Sequence, residues 1–281
     1  MFTSLRAKNF TAVPYLESSL LMKTQKKEVK FATDKPNVIV GPNGAGKSAL
    51  LQALALRTLS FYVGESAFDD NYAIGNDSRT FWSNEGASWR REYVFLPGLT
   101  CETDNAPALY YRPSHIPGND DSVGAAMFCG YGKYADSYLK AVDKKSSGQQ
   151  SRALLDRLVA ALSGDVTDIR FKYVNWRAGK ERKDLANSRF HVCDFEYQFE
   201  ILKEQFDTPP ADALPVVLMD EPEQSLDARA EAVLWGQIAN ADCTKVQVIV
   251  ATHSLYPLMH PEHFNLIEAV PGYVDEVRAL L

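Results

Sequence analysis

Three mostly aliphatic runs stand out along the chain: Asn37–Val40, Pro215–Met219 and Val246–Val250. Apolar at nearly every position rather than alternately, they read as strands of the kind that is buried on both faces. The first runs into a glycine-rich loop at 41–48 and then into Ala49–Leu56, which is rich in helix formers. A helix from Ala228 to Ala239 separates the other two. Shorter strands are predicted at Glu92–Leu96 and Ala108–Arg112, with loops between Gly64 and Gly86. A mostly helical stretch is expected at 122–139, and Leu154, Leu155, Leu158, Val159 and Leu162 mark one face of another helix. Then the period changes. Ile169–Trp176 reads as a strand, Arg177–Lys180 as a turn, and Phe195, Tyr197, Phe199 and Ile201 alternate with Glu196, Gln198 and Glu200. Residues 166–202 are therefore expected to form an antiparallel β-insertion. No internal repeat or low-complexity tract is present.

The loop GPNGAGKS at 41–48 matches GxxxxGK[ST] in its strand–loop–helix context. In such a loop the backbone N–H groups of Asn43, Gly44, Ala45, Gly46, Lys47, Ser48 and Ala49 face phosphate oxygens, and the helix N-terminus adds positive potential. Lys47 is expected to bridge the β- and γ-phosphates, and Ser48 to place its hydroxyl on Mg²⁺. The run Val216–Met219 ends in Asp220 and Glu221. Asp220 suits the same Mg²⁺, and Glu221 suits a base that deprotonates the attacking water. The flanking strand and helix disfavour an unrelated glycine loop at 41–48, whereas the Asp-Glu pair alone reads as a solvated strand end and gains its functional reading beside that loop. Together they predict ATP and Mg²⁺ as ligands.

Composition narrows the class. The 281 residues are 46% hydrophobic and 23% charged, ordinary globular usage, with a formal net charge of −6. That excludes a rod, a collagen-like repeat and a wholesale basic nucleic-acid coat. Cys101, Cys129, Cys193 and Cys243 show no CxxC spacing, which fits a reducing cytoplasm better than a zinc knuckle or disulfide framework. No apolar run approaches the roughly 20 residues needed to cross a bilayer. MFTSLRAKNF lacks the apolar core of a signal peptide, so a cytoplasmic protein with no membrane partner is expected.

Further motifs specify the subclass. KSSGQQSR at 145–152 aligns position for position with LSGGQQQR, the signature of the ATP-binding-cassette ATPases. EPEQSLD at 221–227 resembles the D-loop of that family, ending at Asp227, and His253 sits where the family has its switch histidine. The chain thus resembles an ABC-type ATPase over most of its length. Lys145 and Ser147 stand where the family has Leu and Gly, and Ser114 or His115 stands near the place of its Q-loop glutamine. Leu5-Arg6-Ala7-Lys8-Asn9-Phe10 resembles the opening of the SMC, RecF and OLD ATPases. The segment from the loop at 41–48 to the signature is too short for an SMC arm. Compact single-cassette AAA-family ATPases, with a YxRxS segment like that at 110–114, are the nearer resemblance.

The resemblance implies an α/β P-loop NTPase fold: an ABC-ATPase sheet core, a helical signature subdomain and the β-insertion. It implies one domain over 1–281, with a core lobe at 1–112 and 214–281, a helical lobe at 113–165 and the insertion at 166–202. It further implies a homodimer that sandwiches ATP. Ser146, Ser147, Gly148 and Gln149 act in trans, Asp227 forms the D-loop, and Glu221, Lys47 and His253 are catalytic. The implied output is the switching of a DNA-related or phage-defence protein partner. A transporter ATPase subunit and a slow nucleotide-gated scaffold holding an effector are the alternatives.

The other candidates are weaker. Arg170, Lys172, Arg177, Lys180, Arg182, Lys183 and Arg189 interleave with Phe171, Tyr173 and Trp176 in the insertion. They suit phosphates and bases, so nucleic acid is a candidate partner through 170–189. They equally suit a solvated edge hairpin over a small aromatic core, which the acidic whole-chain charge favours. His260 and His263 have a metal-like spacing, but Pro261 points to a surface loop instead. His191 stands alone, and Trp82 and Trp89 read as local packing.

Overall fold

A computed structural model describes residues 1–10, 13, 15–58, 98–106, 108–111, 159–163, 210, 212–224 and 226–281. Its centre is a five-stranded sheet built from the apolar runs. β3 (Asn37–Val40), β6 (Val216–Asp220) and β7 (Gln247–Ala251) are buried at every position. With β5 (Ala108–Tyr111) and β8 (Asn265–Glu268) they give the order β5-β6-β7-β3-β8, every adjacent pair parallel. Val38 pairs with Val250 on one side and Leu266 on the other, and Met219 pairs with Val250.

Alternation of side chains divides these strands between two cores. Val216, Leu218, Ile249, Ala251 and Ile39 face one, with α2 (Lys47–Thr58) and α1 (Leu20–Thr24) packed on it. Val217, Met219, Val248, Val250, Val38 and Val40 face the other, which is filled by Leu234, Trp235 and Ile238 of α3 (Ala228–Ala239). Trp235 meets Phe264 edge-on at 5.8 Å and stacks on Tyr256 of α4 (Tyr256–Met259) at 6.1 Å. α5 (Tyr273–Arg278) closes this layer with Val274. Each such buried aliphatic or aromatic side chain contributes about 1.5–3 kcal/mol.

A second, antiparallel sheet has the order β2-β1-β4, from β1 (Phe2–Ala7), β2 (Glu28–Lys30) and β4 (Leu99–Thr103). Gln247 joins the two sheets: its side chain accepts from the Phe2 N–H and donates to the Phe2 carbonyl, both at 2.7 Å. The Asn9-Phe10 pair has a structural basis. Asn9 takes a left-handed φ of 58°, Phe10 is buried, and Lys8 donates to the Gly98 carbonyl at 2.8 Å. A Cβ on Gly98 would collide with the Lys8 carbonyl oxygen.

The expected strands and helices of this core are found within a residue or two. The helix read at Ala49–Leu56 extends over Lys47–Thr58, and the strand read at 108–112 runs Ala108–Tyr111. Sequence reading did not give strands to Phe2–Ala7, Glu28–Lys30, Leu99–Thr103 or Asn265–Glu268. Of the helix expected around Leu154–Leu162, residues 159–162 are helical. The strand at Glu92–Leu96, the helix at 122–139, the signature at 145–152, Ser114, His115, His191, Trp82, Trp89 and the insertion at 166–202 lie outside the described residues.

Candidate nucleotide site

Three loops meet at the carboxyl ends of β3, β6 and β7, the end of a parallel sheet where ligands bind. The loop after β3 spans 41–46 and leads directly into α2. Gly46 has φ +100°, and a Cβ there would collide with the side chain of Ser19. Ser19 is in turn the N-cap of α1, accepting from the Met22 N–H at 3.2 Å, while Leu21 N–H donates to the Ala45 carbonyl at 3.0 Å. The loop is thus braced from behind by α1. Asn43 and Gly44 at its tip are exposed; Ala45 is buried, and Gly46, Ser48 and Ala49 are half-buried.

Lys47 opens α2 and is buried. Its ammonium donates to the Gly41 carbonyl at 2.9 Å, the Pro42 carbonyl at 3.1 Å and His253 Nε2 at 3.0 Å. Desolvation lowers the Lys47 pKa, and the carboxylates of Glu221, Asp220 and Glu223 oppose that shift. Beside it, the Ser48 hydroxyl donates to Asp220 Oδ1 at 2.8 Å. Asp220 is the buried last residue of β6. A hydroxyl and a carboxylate side by side are hard oxygen donors, the set that Mg²⁺ takes together with phosphates. These two residues fit that cation.

Glu221 follows in a left-handed conformation, φ 49°, with its N–H donating to the Ala251 carbonyl at 2.8 Å. For a residue other than glycine this conformation is costly, and it turns the chain sharply at the strand end. Glu221 Oε1 stands 3.5 Å from His253 Nε2. That nitrogen cannot both accept from Lys47 and donate to Glu221. Desolvation and the Lys47 charge lower the His253 pKa, with Glu221 opposing, so the neutral acceptor is the favoured form.

The structure therefore gathers Lys47, Ser48, Asp220, Glu221 and His253, residues drawn from three separate segments of the sequence. Asp227 is placed as the N-cap of α3, accepting from the Ala230 N–H at 2.8 Å. Ser146, Ser147, Gly148 and Gln149 lie outside the described residues. His260 precedes and His263 ends a short surface 3₁₀ turn, Pro261–His263; both are exposed, and their ring nitrogens lie 3.8 and 3.5 Å from Glu262 Oε1. Among the described residues no group of three or more His, Cys, Asp or Glu could hold a metal ion, and no helix is long and apolar enough to cross a membrane.

Sequence reading missed Glu223, Thr252 and Ser254 as parts of the site. Glu223 Oε1 accepts from the Thr252 hydroxyl and, at 3.1 Å, from the His253 N–H. The one available signal was a second acid in the turn after β6.

Residues 4–87 match the family model of an AAA domain. The match takes in β1 from Ser4 onward, the glycine-rich loop and α2 and spans well under half of the chain. No curated protein matches the chain. A mixed α/β fold with this loop and this match supports a nucleotide-binding P-loop ATPase of AAA type.

Proposed function

We propose that this protein is a compact ABC-type ATPase that hydrolyses ATP to ADP and phosphate and works as an ATP-dependent dimer. The observation that carries the reading is the convergence of Lys47, Glu221 and His253 beside the Ser48–Asp220 pair. The loop N–H groups and Lys47 bind and orient the phosphates. To do so Lys47 exchanges its carbonyl partners and His253 for phosphate oxygens, a stronger charge-assisted set. Ser48 and Asp220 would hold Mg²⁺, which neutralises phosphate charge when bound. Glu221 takes the proton of the attacking water as its oxygen bonds to the γ-phosphorus and the bond to the ADP oxygen breaks. His253, released from Lys47, donates to the γ-phosphate once Nε2 carries a proton, as the other neutral tautomer or as imidazolium.

In this reading the dimer completes each site with Ser146 and Gly148 of the second subunit, whose hydroxyl and N–H suit an anion. The switched partner is a protein effector related to DNA or phage defence. The test is steady-state ATP turnover by the purified protein. Lys47→Ala should lower it by about a hundredfold or more, and Glu221→Gln by a similar factor while ATP still binds. Wild-type turnover at the level of Lys47→Ala would overturn the assignment.

A further inference from the structure

β7 ends at Ala251, and the chain beyond it must still present His253 to the site. The Thr252 N–H keeps a contact with the sheet, donating to the Ile39 carbonyl at 3.3 Å. From there the turn is held by side chains. The Thr252 hydroxyl and the His253 N–H both donate to Glu223 Oε1. The Ser254 N–H donates to Thr252 Oγ at 2.8 Å, so that hydroxyl accepts one hydrogen bond and donates another. The Ser254 hydroxyl donates to Glu231 Oε1 on the first turn of α3 at 2.6 Å and accepts from the Tyr256 N–H at 3.1 Å.

Glu223 does this at a cost. Its Oε2 is buried and has no hydrogen-bond partner among the described residues. Burial raises its pKa, the Thr252 and His253 donors oppose that, and Glu231 adds repulsion. A carboxylate with one oxygen buried and unpaired is a poor device for stability alone. What it holds is the backbone of the residue whose ring reaches Lys47 at 3.0 Å and Glu221 at 3.5 Å.

We propose that Glu223 is a positioning residue of the ATPase site. By accepting from Thr252 and from the His253 N–H, it fixes the imidazole of His253 for contact with Lys47 and, on nucleotide binding, with the γ-phosphate. The proposal rests on the ATPase reading above. Glu231 anchors the same turn from the other side through Ser254.

The test records the ¹⁵N resonances of the His253 ring in nucleotide-free protein, assigned by loss in His253→Asn, together with ATP affinity and kcat. Glu223→Ala should displace the ring resonances and lower kcat at least about tenfold, with ATP affinity within about twofold. Glu223→Gln keeps the acceptor oxygen and should restore most of both effects. Thr252→Val removes one donor but leaves the carboxylate; it should displace the same resonances in the same direction, and it carries the test if Glu223→Ala does not fold. Unmoved ring resonances in the folded variants, or an equal loss in Glu223→Gln and Glu223→Ala, would overturn the proposal. Absent wild-type turnover would instead overturn the ATPase reading, and the ring resonances would still decide the role of Glu223.

Discussion

Lys47 and His253 hold each other beside the phosphate loop: the ammonium donates to Nε2 at 3.0 Å. That contact requires a neutral imidazole protonated on Nδ1. The folded protein therefore resists protonating His253, and its pKa lies below the ordinary 6.5. The sign of the consequence follows from linkage. Between the lowered folded value and 6.5 the unfolded chain binds more protons, so stability rises with pH there and is lost as pH falls below 6.5. Thermal unfolding of wild type and His253→Gln from pH 8 to pH 5 should show wild type losing ground to the variant on the acid side. A constant difference across that range would contradict the neutral assignment.

Ser48 offers a second test, because its hydroxyl is the partner of Asp220 Oδ1. Ser48→Ala removes one oxygen donor and leaves the Asp220 carboxylate, the loop backbone and Lys47 in place. The Mg²⁺ concentration for half-maximal turnover should rise by about tenfold or more, with little change in nucleotide binding measured without the metal. An unchanged Mg²⁺ dependence would remove Ser48 from the metal site.

How much was legible in the sequence depends on what each feature needed to be seen. β3, β6 and β7 are buried at every position, so composition alone marks them. Phe2–Ala7 has a burial pattern in which Ser4 and Leu5 are both buried, which breaks the period of two, and Glu28–Lys30 is only three residues long. β8 offers just Leu266 and Ile267 between polar ends. The same division holds in the site. Lys47, Ser48, Asp220 and Glu221 lie in local motifs whose spacing carries the chemistry. The role of Glu223 depends on what Thr252 and His253 present to it 29 and 30 residues later, and no local spacing encodes that pairing.

Glu221→Gln removes the proposed base and leaves the ligands for phosphate and Mg²⁺. If ATP is sandwiched between two subunits, this variant should dimerise on ATP and dissociate slowly, because hydrolysis no longer releases the interface. Light scattering at micromolar protein should shift from monomer to dimer mass with ATP and not with ADP. A monomer at saturating ATP would leave each site working within its own subunit.

The sandwich also predicts complementation. Ser146→Arg damages the half-site that the signature would contribute, and Lys47→Ala damages the other half. A heterodimer of the two would place both lesions on one composite site and leave the other intact. A mixture should therefore regain up to about half the wild-type turnover per heterodimer, because only one of its two sites works. Turnover no higher than that of either mutant alone would favour sites within each subunit or strict coupling of the two sites.

The basic segment at 170–189 is the remaining element with chemistry of its own. Seven Lys and Arg residues lie there among three aromatic ones, against an overall charge of −6. If they contact phosphates, reversing Arg177, Lys180, Arg182 and Lys183 to Glu should abolish nucleic-acid binding. Basal ATP turnover should persist, because none of these residues belongs to the phosphate loop, the Asp220–Glu221 turn or the signature. Neutralising them singly to Gln should reduce the slope of log affinity against log salt by about one unit per phosphate contact. The measurement is a titration of labelled single- and double-stranded DNA and RNA at low and moderate salt, with ATP present. Absence of wild-type binding in every condition would assign the segment to protein docking or to structure, in keeping with the acidic charge of the whole chain.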